Sequence, residues 1–142
     1  MKSSTICRAF VLVSLGCFAS PAGAAEALVP DTPTQIGGIT MVCTGVSLDA
    51  RQDPRWTAYA LKIEFAGPGG QYIGDETVSI RRGAIELVHV SCPGPWLLLQ
   101  LPAGRYQVSA EAEGQTAASA AFVPKEGQGR IILRFAGTRP GE

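Results

Sequence analysis

The stretch LPAGRYQVSAEAEG, residues 101–114, decides the fold class of the chain. From Arg105 to Glu113 polar and apolar side chains alternate, so every second residue falls on the same side of an extended backbone. The apolar side begins at Tyr106, and Gly114 marks a turn after the last polar residue. The pattern predicts a half-buried β-strand that ends in a turn.

Similar strands lie on both sides of this stretch and are separated by turns rich in Gly and Pro. Between Trp96 and Leu101 the chain is apolar on both sides, which is typical of a central sandwich strand. Turn residues recur about every 8–12 positions, which is the spacing of a β-sandwich. No long helical period is present, so the fold class is predicted as all-β, with about seven or eight strands. The other predicted strands are 39–44, 58–65, 77–81, 85–92, 116–123 and 130–135.

The N-terminus has the three parts of a secretory signal peptide. Lys2 and Arg8 make it positive, and the apolar run 9–19 is shorter than the about 20 residues that a membrane span needs. Small residues then precede a cleavage site, which we place after Ala24, with Ala25 as the nearby alternative. The mature protein is therefore expected to be periplasmic or secreted, with no stable membrane span.

A lipoprotein signal, cut before Cys17, is the minor alternative for the N-terminus. The pair Gly16-Cys17 fits such a signal. Ser14 stands where these signals usually carry Leu, Leu15 where they carry a small residue, and the apolar run continues past Cys17. Cleavage near Ala24 is therefore favoured over an anchor at Cys17.

Composition divides the rest of the chain. Residues 25–37 carry two prolines and no sustained period, which predicts an extended linker; 38–137 form the β-sandwich domain and 138–142 a flexible tail. Removing 1–24 takes away two cations and leaves ten basic and twelve acidic residues, a net charge near −2. This balance argues against binding to nucleic acid or to an anionic membrane, because both require a clustered positive field.

Two cysteines remain after the signal peptide, Cys43 and Cys92. An isolated pair in an oxidising compartment favours a disulfide, while two separate buried thiols are the alternative. Closing a loop of this size stabilises a fold by at most roughly 4 kcal/mol in the loop-entropy model. Export therefore favours the disulfide.

Four phrases of the chain resemble the carboxypeptidase regulatory-like, or transthyretin-like, β-sandwich domains, as found in small exported bacterial proteins of unknown function. The phrases are Gly37-Gly38-Ile39, the segment 45–51, the strand 59–65 and LPAGRY at 101–106. The resemblance covers about residues 37–136 and implies a single Ig-like or transthyretin-like β-sandwich, acting as a binding or packing module with no catalytic residue to transfer. Ala103 replaces the second proline of the usual phrase, and the cysteine pair departs from it.

The LPAGRY phrase also predicts a tyrosine corner. In such a corner the ring of Tyr106 lies in the core and its hydroxyl bonds to backbone a few residues upstream. Proline fits the end of a strand and glycine supplies the turn conformation. The residues assigned to this structural motif are Leu101, Pro102, Gly104 and Tyr106.

One charged loop, residues 48–57, is the candidate binding site. It mixes both charges with a tryptophan, and loops of sandwich domains often carry binding residues. The alternative is a self-satisfied ion-pair loop in which Trp56 caps the core. A carbohydrate-binding module would use Trp56, together with Tyr72, as exposed stacking platforms. The candidate residues are Asp49, Arg51, Asp53, Arg55 and Trp56.

Catalytic and metal-binding patterns are weak. His89 and Ser91 could only suggest a hydrolase, because no orienting carboxylate is evident. One histidine and two cysteines do not build a zinc site, and the pair Asp75-Glu76 is interpreted as a solvated turn rather than a calcium site. The sequence therefore predicts a non-enzymatic exported module without cofactors that binds an envelope protein or glycan.

Overall fold

The computed structural model describes residues 23–137. The signal peptide 1–24, apart from its last two residues, the alternative anchor Cys17 and the tail 138–142 lie outside the described residues. Ten strands form two five-stranded sheets packed face to face, so the predicted all-β sandwich is confirmed. The strands are β1 (Glu26–Ala27), β2 (Thr34–Ile36), β3 (Ile39–Thr44), β4 (Leu61–Ala66), β5 (Glu76–Arg82), β6 (Ile85–Cys92), β7 (Trp96–Leu99), β8 (Gly104–Ala112), β9 (Gln115–Val123) and β10 (Gly129–Arg134).

Sheet A has the strand order β1-β6-β5-β8-β9, and sheet B has the order β10-β4-β7-β3-β2. Both sheets are mixed, because β1 pairs parallel to β6 and β10 pairs parallel to β4 while the other neighbours are antiparallel. Parallel neighbours need a long crossover rather than a tight turn. The C-terminal strand β10 therefore completes sheet B beside a strand that lies far earlier in the chain.

Alternation along β8 places its apolar side in the core. Tyr106, Val108, Ala110 and Ala112 are buried, and the polar residues between them face outward. All four residues of β7 are buried in the centre of sheet B, as its apolar sequence predicts. The sequence pattern of these two strands thus sets both the inner face of sheet A and the middle of sheet B.

Residues 25–37, predicted as an extended linker, contribute the two short strands β1 and β2. Leu28 between them is buried in the main core, and its amide donates to the carbonyl of Ser91 at 2.9 Å. Strands of two and three residues are too short to show a two-residue period. For this reason the strand number exceeds the predicted seven or eight.

The predicted disulfide is present and joins the two sheets. Cys43 lies in β3 of sheet B and Cys92 at the end of β6 in sheet A, with Cα atoms 5.5 Å apart. Both residues are fully buried in the main core. The bond therefore holds the two layers of the sandwich together.

A hydrogen bond from a tyrosine hydroxyl to the backbone lies at the LPAGRY phrase, where a tyrosine corner is predicted. The Tyr106 hydroxyl donates to the carbonyl oxygen of Pro102 at 2.6 Å, and the ring is buried. Gly104 has φ +146°, a conformation that disfavours other residues, and Leu101 is buried before the bend. The Arg82 guanidinium lies over the tyrosine ring, 5.3 Å from its centroid.

Candidate functional site

The charged loop folds over the outer face of sheet B. It forms one helical turn, α1 (Leu48–Arg51), followed by a 3₁₀ helix (Pro54–Ala58). Ser47 caps the first, since its Oγ accepts from the amide of Ala50 at 3.0 Å. Asp53 caps the second by accepting from the amide of Arg55 at 2.9 Å. These caps explain why the chain turns twice before it enters β4.

Trp56 is buried beneath this loop. Only 4% of it is exposed, and its indole Nε1 donates to the carbonyl of Ala50 at 2.6 Å. With Tyr59 it covers Val42 and Leu98, which alternate with main-core residues and so face the other side of sheet B. The interpretation of Trp56 as an exposed stacking platform is therefore wrong. Its ring shields apolar side chains on the outer face of two strands, which would otherwise be exposed to water.

Asp53 and Arg55 satisfy each other. The guanidinium donates to both carboxylate oxygens, with Nη2 to Oδ2 at 2.7 Å, and lies 4.8 Å from the centroid of the Trp56 ring. The side-chain hydrogen bond from Arg55 lowers the pKa of Asp53. Asp49 is exposed in the first turn of α1. Of the predicted loop residues, Asp53 and Arg55 therefore form a local ion pair rather than an open binding site.

Arg51 points elsewhere and connects the loop to a second group of side chains. Its Nε donates to the carbonyl of Gly45 at 2.8 Å, and its guanidinium stacks 4.7 Å from the centroid of the Tyr72 ring. Gly45 has φ +93°, and a Cβ there would come within 2.9 Å of the Trp96 ring. The loop can therefore approach this aromatic pair only with glycine at position 45.

Tyr72, Trp96 and Lys62 continue the stack along the outer face of sheet B. The two rings meet edge to face with centroids 6.0 Å apart, and Lys62 Nζ lies 3.4 Å from the centroid of the indole ring. A cation over an aromatic face is attracted by the ring quadrupole, by about 0.5–2 kcal/mol. Burial lowers the pKa of Lys62. Tyr72 is 41% exposed and forms the accessible part of the stack.

Glu64 is the buried anion of this group. It is 1% exposed, and its carboxylate accepts from the Tyr72 hydroxyl at 3.0 Å and from Nε of Arg130, while Lys62 Nζ lies 3.8 Å away. The hydrogen bond to Glu64 raises the pKa of Arg130. A buried carboxylate persists only when such partners compensate its lost hydration. Glu64 therefore fixes the positions of a tyrosine and a cation.

We define the cationic face as the outer surface of sheet B formed by Arg51, Lys62, Tyr72, Arg130, Ile132 and Arg134. The last three alternate with core residues of β10, and their side chains are exposed. The parallel register places Arg130 beside Lys62 and Ile132 beside Glu64. Sequence reasoning found Arg51 and Tyr72 but missed the group, because the polar sides of two predicted strands gave no sign that the strands were neighbours.

His89 has a different partner from the one suggested. Ser79, directly opposite on β5, has its Oγ 3.0 Å from Nδ1 of the imidazole, while Glu86 Oε1 lies 3.7 Å from the same nitrogen. A hydrolytic triad needs the serine and the carboxylate on different ring nitrogens. Within residues 23–137, these three side chains therefore do not form a nucleophile–base–orienter relay.

Glu76, interpreted from sequence as part of a solvated turn, is fully buried at the start of β5. Neither carboxylate oxygen has a hydrogen-bond partner among the described residues, and desolvation raises the pKa of Glu76 to about 9. Asp75 occupies the turn before it, with φ +61°. In residues 23–137 no group of three or more His, Cys, Asp and Glu is placed to hold a metal ion.

A cleft of about 370 Å³ lies at one end of the sandwich. The Gly67–Ile73 loop, the β8–β9 turn and the segment after β10 form its walls. Gln115 Oε1 is buried there without a partner among the described residues.

No helix within residues 23–137 has the length and hydropathy to cross a bilayer.

No model of a known protein family matches this chain, and no curated protein matches its sequence significantly. The resemblance to carboxypeptidase regulatory-like domains therefore stays a prediction. A role for the protein is therefore inferred from the side chains of the cationic face.

Proposed function

We propose that this protein is an exported, non-enzymatic β-sandwich module that binds an acidic segment of a cell-envelope protein through the cationic face. The observation that carries the proposal is the clustering of cations on one face, in a chain whose net charge after signal removal is negative. Arg51, Lys62 and Arg130 surround Tyr72 and the single carboxylate of Glu64, and Arg134 lies farther along the exposed side of β10. Concentrating cations on one face creates a local field that attracts anions.

The exposed side of β10 favours an extended ligand. Arg130, Ile132 and Arg134 point the same way at two-residue intervals, which separates neighbours by about 7 Å along the strand. The sequence cation, apolar, cation is complementary to a segment that alternates carboxylates with an apolar residue. Arginine suits this role because its planar fork binds carboxylates through two parallel hydrogen bonds.

The predicted export, the disulfide and the contacts of Glu64 support the same proposal. The N-terminal sequence predicts export, and the disulfide between Cys43 and Cys92 suits an oxidising environment. Glu64 holds Arg130 and Tyr72 in fixed positions, so less side-chain freedom is lost when a ligand binds. These properties are those of a preorganised binding surface on a stapled domain.

An anionic glycan is the second candidate ligand. Tyr72 offers a half-exposed ring beside Arg51, which could stack on a sugar while the guanidinium contacts an acidic group. The buried position of Trp56 removes the other platform that a carbohydrate-binding module would have used. The acidic protein segment is therefore the first choice.

The test is capture from envelope extract by the immobilised mature chain, followed by titration of an isolated partner. The charge reversal Arg134→Glu should reduce partner affinity by roughly tenfold, since two or more opposite charges face this position. Arg81→Glu, on the outer face of sheet A, is the matched control and should bind as the wild type does. Equal capture by both variants would refute the proposal, and release by soluble polyuronate but not by polyglutamate would favour the glycan.

A further inference from the structure

β9 is a long edge strand that lacks the residues that usually protect a rim, and only its C-terminal end lies beside β10. It is nine residues long, lies at the end of sheet A, and carries no charge or proline between Gln115 and Val123. The other edges within the described chain are blunted: β1 and β2 have two and three residues, and β10 presents two arginines. Natural proteins usually protect long edges by such means, because free backbone groups pair with other strands.

The register identifies which backbone groups of β9 are free. A two-residue turn at Glu113 and Gly114, both with positive φ, joins β8 to β9, so the pair Ala112–Gln115 is hydrogen-bonded and the pairs alternate from there. The N–H and C=O groups of the intervening β9 residues therefore point away from β8. These residues are Thr116, Ala118, Ala120 and Phe122, and all four are exposed.

We propose that β9 is the interface through which two copies of this chain pair antiparallel, joining their A sheets into one ten-stranded sheet. A twofold axis at Ser119 places Ala118 opposite Ala120 of the partner subunit and Thr116 opposite Phe122 of the partner subunit. About six main-chain hydrogen bonds form across the axis. The carbonyl of Phe122 does not take part, because it lies against Gly129, where a Cβ would approach it to 2.4 Å.

Charge complementarity favours a second copy as the occupant. Within sheet A, Arg105 stands beside Phe122 and Glu111 beside Thr116. Antiparallel pairing puts Arg105, Phe122, then Thr116 and Glu111 of the partner subunit in one row across the joined sheet. The two charged residues are three strand spacings apart, about 14 Å between Cα atoms, and both side chains are long and exposed. The twofold axis repeats this attraction at the other end.

The side chains along the rim also fit a close approach. Alanines occupy the central positions on the outer face of β9, so the cross-strand side-chain pairs near the axis are small. Ser119, at the axis on the other face, donates its hydroxyl to the Ala120 carbonyl at 2.9 Å, and that carbonyl keeps a second lone pair for the partner strand. Phe122, 68% exposed in a single chain, would be covered by Thr116 of the partner subunit. The pairing uses main-chain groups of β9 at the rim of sheet A, whereas the cationic face is the outer surface of sheet B, so the inference does not depend on the proposed function.

Sedimentation velocity of the mature, oxidised chain tests the inference. We expect a reversible dimer with a dissociation constant on the order of 10 μM, in keeping with a small interface. Ala120→Pro should give a monomer, because its amide makes no bond to β8 and the fold keeps its ladder. Ala120→Lys should do the same without changing the backbone. A chain that is monomeric to about 1 mM, or a dimer that persists in both variants, overturns the inference.

Charge reversal supplies a second measurement. Arg105→Glu or Glu111→Arg alone should weaken the dimer roughly tenfold, while the double swap should restore it. Hydrogen exchange at the amides of Ala118, Ala120 and Phe122 should slow as protein concentration rises. Exchange that is independent of concentration in a dimeric sample would place the interface elsewhere and overturn the assignment to β9.

Discussion

Replacing Glu76 by glutamine should flatten the dependence of folding stability on pH. The Glu76 carboxyl is fully buried without a partner among the described residues, and desolvation raises its pKa from 4.5 to about 9. In the unfolded chain the same group releases its proton near its ordinary value. Between these two values the folded state holds one more proton than the unfolded state, so stability falls as pH rises.

The magnitude follows from the size of the shift. Each pH unit inside this window removes about 1.4 kcal/mol from the free energy of unfolding. From pH 4.5 to pH 7 the wild type should therefore lose about 3 kcal/mol. Most of that loss should be absent in Glu76→Gln, whose amide is similar in size and does not titrate. The variant and the wild type should be similar near pH 4.5 and diverge steadily above it.

Urea unfolding of the oxidised mature chain, at intervals from pH 4.5 to 8.5, measures this difference. Glu126→Gln is the matched control, because Glu126 is exposed in the turn between β9 and β10 and should leave the profile unchanged. Parallel profiles for Glu76→Gln and the wild type would refute the reasoning. They would mean that the carboxyl ionises in the folded state with water or another partner at hand.

Three further substitutions test the packing of the sandwich, each by urea unfolding. Cys43→Ala with Cys92→Ala should lower the free energy of unfolding by up to about 4 kcal/mol, and reduction of the wild type should reproduce the loss. Tyr106→Phe removes the hydrogen bond to Pro102 and should cost about 1 kcal/mol, whereas an unchanged midpoint would contradict its role at the corner. Trp56→Ala should cost about 3–5 kcal/mol, since it empties the space over Leu98; a loss below about 1 kcal/mol would indicate an exposed indole.

Alternation in the sequence predicts most of the strands because one face of each is buried. β3 and β6 have the predicted bounds, β8 is shifted by one residue at both ends, and β9 begins one residue earlier than predicted. The pairing of strands cannot be predicted in this way, because the contacts between β10 and β4 join residues that are far apart in the chain. No local period reports a parallel neighbour, so the cationic face could not be assembled from sequence.

Glu76 and Trp56 show what local sequence can and cannot indicate about burial. Glu76 follows an aspartate and a glycine, which resembles a solvated turn, yet it shares the two-residue period of Val78 and Ile80 and points inward with them. That signal was available in the sequence. For Trp56 the sequence offered both an exposed and a core-capping position, and the structure shows the second. Its burial depends on the apolar outer residues Val42 and Leu98 of strands that the loop covers.

The disulfide also determines how the molecule would respond to a pulling force. Cys43 and Cys92 are 49 positions apart, so the bond withholds roughly 170 Å of chain from extension when the termini are drawn apart. Lys62, Glu64 and Tyr72 lie inside the withheld loop, whereas Arg130 and Arg134 lie on β10, outside it. Tension at the C-terminus would therefore strip β10 from β4 first and separate the two halves of the cationic face. A ligand that binds both halves would therefore resist the removal of β10 from sheet B under tension.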